Sequence, residues 1–165
     1  MEKRCFNVLF LCPGNDAVSI MAESILRAAG GEYFKAFSAG PRPAHQINRF
    51  STLVLERDGY DTSGLEPKHW DKFASETGPQ LDFVFTTSDT LVDNAYPKWA
   101  GTPIKAHWGI NDPTLTDGTD IDKERSFYTA LSQMKRRISI FTSLPLLALD
   151  AITLQARLHE IGNLG

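Results

Sequence analysis

The stretch "NVLFLCPGNDAVSIMAES", residues 7–24, decides the fold. Val8 to Leu11 is a continuous apolar run, the pattern of a strand buried on both faces of a parallel sheet. It delivers Cys12 to a turn holding Pro13, Gly14 and Asn15, and the chain enters a helix at about Val18. Ile20, Met21, Ser24, Ile25 and Ala28 then fall on one helical stripe, which stops at Gly30-Gly31. Backbone N–H groups in a short loop ahead of a helix converge on one point, and the helix dipole adds partial positive charge there. Such a cradle binds oxyanions and lowers the pKa of a thiol. Gly14 and Asn15 suit it, because both tolerate the left-handed backbone that these loops need.

Working outward, strand and helix keep alternating. A second strand at about Phe34 to Ser38 runs into "SAGPRP", and a helix follows with the stripe Ile47, Phe50, Leu53, Val54 and Arg57, closed by Asp58-Gly59. "LDFVFTTSD" (Leu81 to Asp89) reads as a strand entering a polar turn, and "TPIKAHWG" (Thr102 to Gly109) as a shorter strand. A polar loop from Gly109 to Gly118 contains Asp112-Pro113. A long helix with Phe127, Leu131, Met134, Ile138 and Phe141 inward ends before Pro145, and a last helix turns Leu154, Leu158 and Ile161 inward. This alternation predicts a doubly wound α/β sheet, with ligands bound where strand C-termini meet helix N-termini. Cys12, Ser88 and the Asp112 loop all fall at such ends.

With 165 residues, 42% of them hydrophobic, the chain reads as one globular domain over residues 1–165. A net charge of −3 gives no basic field for nucleic acid or an anionic membrane. The triplet "KRR", Lys135 to Arg137, reads as a solvated helix face. "MEKRCF" leads directly into the first strand with no apolar targeting region, and no apolar run is long enough to span a bilayer. These features predict a soluble cytoplasmic protein. Cys5 and Cys12 lie seven strand steps apart, roughly 23 Å, whereas a disulfide tolerates about 7 Å between Cα atoms, so both are expected as free thiols.

The ordered set "NVLFLC-GN", "SAG" (Ser38 to Gly40), "DTSGL" (Asp61 to Leu65), "LDFVFT" (Leu81 to Thr86), "AHWGI-DP" (Ala106 to Pro113) and "LP" before the last helix resembles the low-molecular-weight protein tyrosine phosphatases. Within that family it is similar to the bacterial arsenate reductases. The resemblance covers nearly the whole chain. It implies a flavodoxin-like four-stranded parallel sheet with helices on both faces, no cofactor and no metal. It also implies a loop, Pro13, Gly14, Asn15, Asp16, Ala17 and Val18, that holds an oxyanion such as phosphate, arsenate or sulfate. Carried over, Cys12 matches the nucleophile, Asn15 a loop-shaping residue, Ser19 the hydroxyl that steadies the thiolate, and Asp112 the general acid.

The family pattern places Arg before that serine, where this chain has Val18. Arginine would grip the oxyanion with a planar fork of donors, and valine has none. Asp16 puts a carboxylate where relatives more often carry a small neutral residue, repelling a dianion and opposing ionisation of Cys12. Thioredoxin-linked reductases carry two further cysteines, at the positions of Ser88 and Tyr96, so no internal disulfide relay can run here. Thr114 follows Asp-Pro where phosphatases commonly place Tyr; Trp108 and Tyr96 are the alternative rings. Arg42 in "SAGPRP" is a candidate substitute clamp, with surface solvation the stronger reading. His45, His69, His107 and His159 lack metal-ligand spacing, and His107 is expected beside Trp108. Two readings follow. One is a degenerate member that binds an anion, small ligand or partner protein at the cleft. The other is a working phosphatase or reductase using Cys12, Asp112 and an outside thiol such as glutathione. A thiol-based redox or regulatory role needs only an accessible Cys12.

Overall fold

A computed structural model describes residues 4–74, 76, 78–91 and 95–164. Strands β1 (Phe6–Leu11), β2 (Phe34–Ala39), β3 (Phe83–Thr86) and β4 (Ile104–His107) form one sheet in the order β2-β1-β3-β4. Every pairing is parallel. The helices are α1 (Val18–Gly30), α2 (Arg49–Arg57), α3 (Asp120–Ser143) and α4 (Ala151–Gly162). Because β2 and β3 flank β1 on opposite sides, the connections diverge at the C-terminal end of β1, the switch point at which open α/β sheets bind ligands. Cys12 stands at that point.

Period-two alternation divides the sheet into two unequal faces. Val8 and Phe10 of β1 and Phe83 and Phe85 of β3 pack under all four α-helices. Trp108 stacks on Phe85 with centroids 3.9 Å apart, and Phe141 of α3 meets Phe34, Phe83, Phe85 and Trp108. The opposite face, Leu9, Leu11, Ala39 and Val84, is covered by Trp70, Phe73, Leu91 and Trp99. Here the covering helices are short 3₁₀ turns, Trp70–Phe73 and Asp89–Leu91. Helices thus lie on both faces, long on one and single-turn on the other.

Local chemistry fixes the element ends. Thr119 and Asp122 form a reciprocal capping box on α3, Asn48 caps α2 and Asp150 caps α4. Among the described residues no helix is long and apolar enough to cross a membrane. Cys5 is exposed and Cys12 buried, and both are free; the first three residues of "MEKRCF" lie outside the described residues.

Several sequence expectations need correction. Ile20, Met21, Ser24 and Ile25 are buried but Ala28 is exposed, and Val18, Ala22 and Leu26 are buried as well, because this helix is packed on more than one side. Ile47 precedes α2, and Arg57 is exposed, where it pairs with Glu124; Leu55 takes the inward place. In "KRR", Lys135 pairs with Asp58 at 2.7 Å, but Arg137 is 4% exposed and belongs to the interior. His107 does not pack on Trp108. As the last residue of β4 it turns to the other face, 2.6 Å from Thr86 Oγ1 and 2.7 Å from Asp89 Oδ1.

Candidate functional site

The loop from Cys12 to Ala17 is built with its carbonyls turned out. Those of Pro13, Gly14 and Asp16 accept from the backbone N–H groups of Arg42, Ala44 and Asn48 at 2.9–3.1 Å. The Asp16 carbonyl also accepts from Ser51 Oγ. With the carbonyls so engaged, the N–H groups face inward, and those of Asn15 and Ser19 point at the Cys12 sulfur. No side chain caps the N-terminus of α1, which leaves its first donors open to the loop. Gly40 permits the close approach of the next strand end: a Cβ there would lie 2.2 Å from the Cys12 carbonyl oxygen and 2.6 Å from that of Pro13.

A directed chain of hydrogen bonds serves the thiol. Lys68 N–H donates to Asn15 Oδ1 at 2.8 Å, Asn15 Nδ2 donates to Ser19 Oγ at 2.9 Å, and Ser19 Oγ lies 2.7 Å from Cys12 Sγ. Since the serine oxygen already accepts from Asn15, its own hydrogen is free to point at sulfur. Asn15 is fully buried with φ 48°, the left-handed backbone expected of it.

These donors work against larger opposing effects. Burial pushes the Cys12 thiol above its ordinary pKa; Ser19 and the two N–H groups pull it down, and Asp16 adds a further upward push. Burial also raises the Asp16 carboxyl, its own backbone N–H lowers it, and repulsion from Asp112 raises it again. The structure therefore brings Asp112 into the electrostatic reach of the loop.

Cys12, Pro13, Asp16 and Val18 form one wall of a cleft of about 230 Å³, and Thr87, Ser88, Ile110, Asp112 and Thr114 form the other. Asp112 Oδ1 accepts from the Thr114 N–H at 2.9 Å and from its hydroxyl at 2.6 Å. Among the described residues no Lys, Arg or His lines this cleft. Arg42 is exposed, its backbone N–H donates to the Pro13 carbonyl, and its side chain is not among those lining the cleft. Trp108 is fully buried with Nε1 donating to the Leu158 carbonyl, and Tyr96 packs at a tilt against Trp70, so neither ring lines the cleft. Among the described residues no cluster of His, Cys, Asp and Glu is arranged to hold a metal.

Sequence reasoning missed two residues of the cleft and, outside it, the burial of Arg137. Thr87 and Ile110 line the cleft because the backbone N–H of Ile110 docks on the Thr87 carbonyl at 3.1 Å, a long-range contact without local signal. Arg137 did carry a signal: it stands three residues after Met134 and four before Phe141, on the apolar stripe itself.

A cysteine held in a nest of N–H groups at the end of the first parallel strand, faced by an Asp-Pro loop, defines a class of oxyanion-handling α/β proteins. Residues 7–143 match the low molecular weight phosphotyrosine protein phosphatase family, and the chain belongs to that family, in its arsenate reductase-like branch. It is 29% identical over 134 residues to an arsenate reductase of Halalkalibacterium halodurans, covering 81% of this chain and 93% of that one. To an arsenate reductase of Bacillus subtilis it is 30% identical over 137 residues, with the same coverage. Among solved structures, an arsenate reductase in the phosphate binding state superposes with a TM-score of 0.67 at 22% identity, over 84% of this chain and 97% of that one, a likeness of fold.

Proposed function

We propose that this chain keeps the cleft of its family as a binding site while oxyanion turnover through it is impaired. The observation that carries this reading is the lining: among the described residues, one thiol, two carboxyls and no cation. In this reading Cys12 is the nucleophile, Ser19 steadies its thiolate, the loop Pro13 to Val18 receives the oxyanion and Asp112 protonates the leaving oxygen. Without a guanidinium at Val18, the transition state loses its bidentate partner. By analogy with arginine fingers in phosphoryl transfer this costs on the order of 10³ to 10⁵ in rate, or roughly 4 to 7 kcal/mol. Asp16 compounds the loss, since phosphate, arsenate and sulfate dianions all meet its carboxyl.

The thiol inventory supports the same reading. Cys5 and Cys12 sit at opposite ends of β1, so Cys12 has no second thiol to form a disulfide with inside the chain. Arsenate reduction would take an outside thiol or a protein partner. Two free cysteines fit a reducing, cytoplasmic location.

The test is steady-state hydrolysis of p-nitrophenyl phosphate, together with arsenate reduction using glutathione or thioredoxin as reductant. The expected result is that the native chain exceeds a Cys12→Ser variant in neither assay. Turnover comparable to ordinary family members, abolished by Cys12→Ser, would overturn the reading in favour of a working phosphatase or reductase.

A further inference from the structure

Arg137 is a buried cation with no carboxylate partner among the described residues, and the cleft makes no use of it. Its Nη1 donates to the carbonyls of Trp108 at 2.9 Å and Gly109 at 3.1 Å, and its Nη2 to that of Leu164 at 2.9 Å. Nε is buried without any partner. No ion pair reaches this guanidinium among the described residues, and burial alone lowers its pKa. Burying a charge this way is expensive, and a side chain that only filled space would be better served by methionine.

What the fork holds is the start of the second cleft wall. The N–H of Trp108 donates to the Thr86 carbonyl at 2.7 Å and that of Ile110 to the Thr87 carbonyl. The carbonyls of Trp108 and Gly109, facing the other way, have Arg137 as their donor. The segment is thus tied on one side to the end of β3 and on the other to α3. Two residues beyond Ile110 comes Asp112, whose carboxyl lies in repulsive reach of Asp16. Two carboxyls that repel separate unless something holds them, and the backbone on the Asp112 side is held by this guanidinium.

We infer that Arg137 is the positioning residue of the cleft: it acts through the backbone of Trp108 and Gly109 to keep Asp112 facing the Cys12 loop. This rests on the reading of Asp112 as the group the cleft presents to a ligand, and it extends that reading to a residue 25 positions further along the chain. A planar fork spans carbonyls on two consecutive residues and a third from the C-terminal tail; a lysine ammonium cannot span all three.

The experiment follows the Asp16 carboxyl by carbon NMR across pH in the native chain and in Arg137→Lys, Arg137→Met and Asp112→Asn. Cys12, Asp16 and Asp112 are the titratable groups lining the cleft. If Arg137 holds Asp112 in place, Arg137→Lys and Arg137→Met each shift the Asp16 midpoint downward, as Asp112→Asn does. Arg137→Met then adds no further downward shift on the Asp112→Asn background. The sign excludes direct electrostatics, because removing a positive charge would raise the Asp16 midpoint. An unchanged or raised midpoint in folded Arg137→Lys overturns the proposal, and that variant decides the matter if Arg137→Met does not fold. No turnover is needed, so a finding that the native chain hydrolyses phosphate esters would contradict the functional reading and leave this one standing.

Discussion

The two walls of the cleft are built to the same standard and carry opposite messages. The loop wall has its carbonyls pinned outward, a left-handed Asn15, a glycine-dependent contact at Gly40 and a Lys68–Asn15–Ser19–Cys12 chain. Among the described residues this wall brings no cation to the cleft, and Asp16 brings a carboxyl. The Asp112 wall is tied to β3 by backbone bonds and to α3 by Arg137. Backbone geometry and side-chain charge are separable here: hydrogen bonds to its carbonyls shape the loop wall, while Val18 and Asp16 bring an apolar and an acidic side chain to the cleft.

The comparison breaks most readily at Arg137. Replacing it by Met leaves two or three carbonyls unpaired, and urea unfolding should show a loss of about 2 to 4 kcal/mol; an unchanged midpoint would mean the second wall is not held as described. On the loop wall, Asn15→Ala removes two buried hydrogen bonds and places alanine at φ 48°, for a loss of about 2 to 3 kcal/mol in the same assay. Asn15→Gly should recover only the backbone part.

The other two predictions sharpen the comparison. Alkylation by iodoacetamide, followed by peptide mass across pH, should modify exposed Cys5 readily and Cys12 slowly, with a Cys12 midpoint at or above the free value of about 8.5. A midpoint below 7 would mean that the N–H nest outweighs burial and Asp16. The smallest effect is on stability. Because the Asp16 carboxyl is raised in the folded protein, the native state binds the proton more tightly than the unfolded chain. Stability therefore falls as pH rises from the unfolded carboxylate value of about 3.9 through the folded one. Asp16→Asn should raise the melting temperature at neutral pH, with the gain fading toward pH 4. A constant gain across that range would place the effect elsewhere.

Much of this was legible in the chain itself. The continuous run Val8 to Leu11 and the helical stripe of Phe127, Leu131, Met134, Ile138 and Phe141 have a single consistent reading, because burial on a sheet or helix face imposes its own period. Cys12, the loop after it and Asp112 fall at strand ends, and their roles could be named from the family resemblance carried by the motifs around them. The thin face of the sheet was not legible: its cover comes from 3₁₀ turns around Trp70 and Leu91, too short to leave a periodic signal. His107 was misplaced because the strand end decides which face a residue takes, and a one-residue difference reverses it. Arg137 was misread because charge was given more weight than its place on the stripe; three carbonyl partners distant in sequence make a buried guanidinium tolerable, and none is visible locally.

The central claim is that turnover is limited by charge on one wall and not by the scaffold. Its most direct test is steady-state hydrolysis of p-nitrophenyl phosphate by the native chain and by the double variant Val18→Arg, Asp16→Ser. The account predicts a native chain at background and a repaired chain that turns over, with the gain lost again in Cys12→Ser. A native chain that already turns over as fast as the repaired one would contradict it.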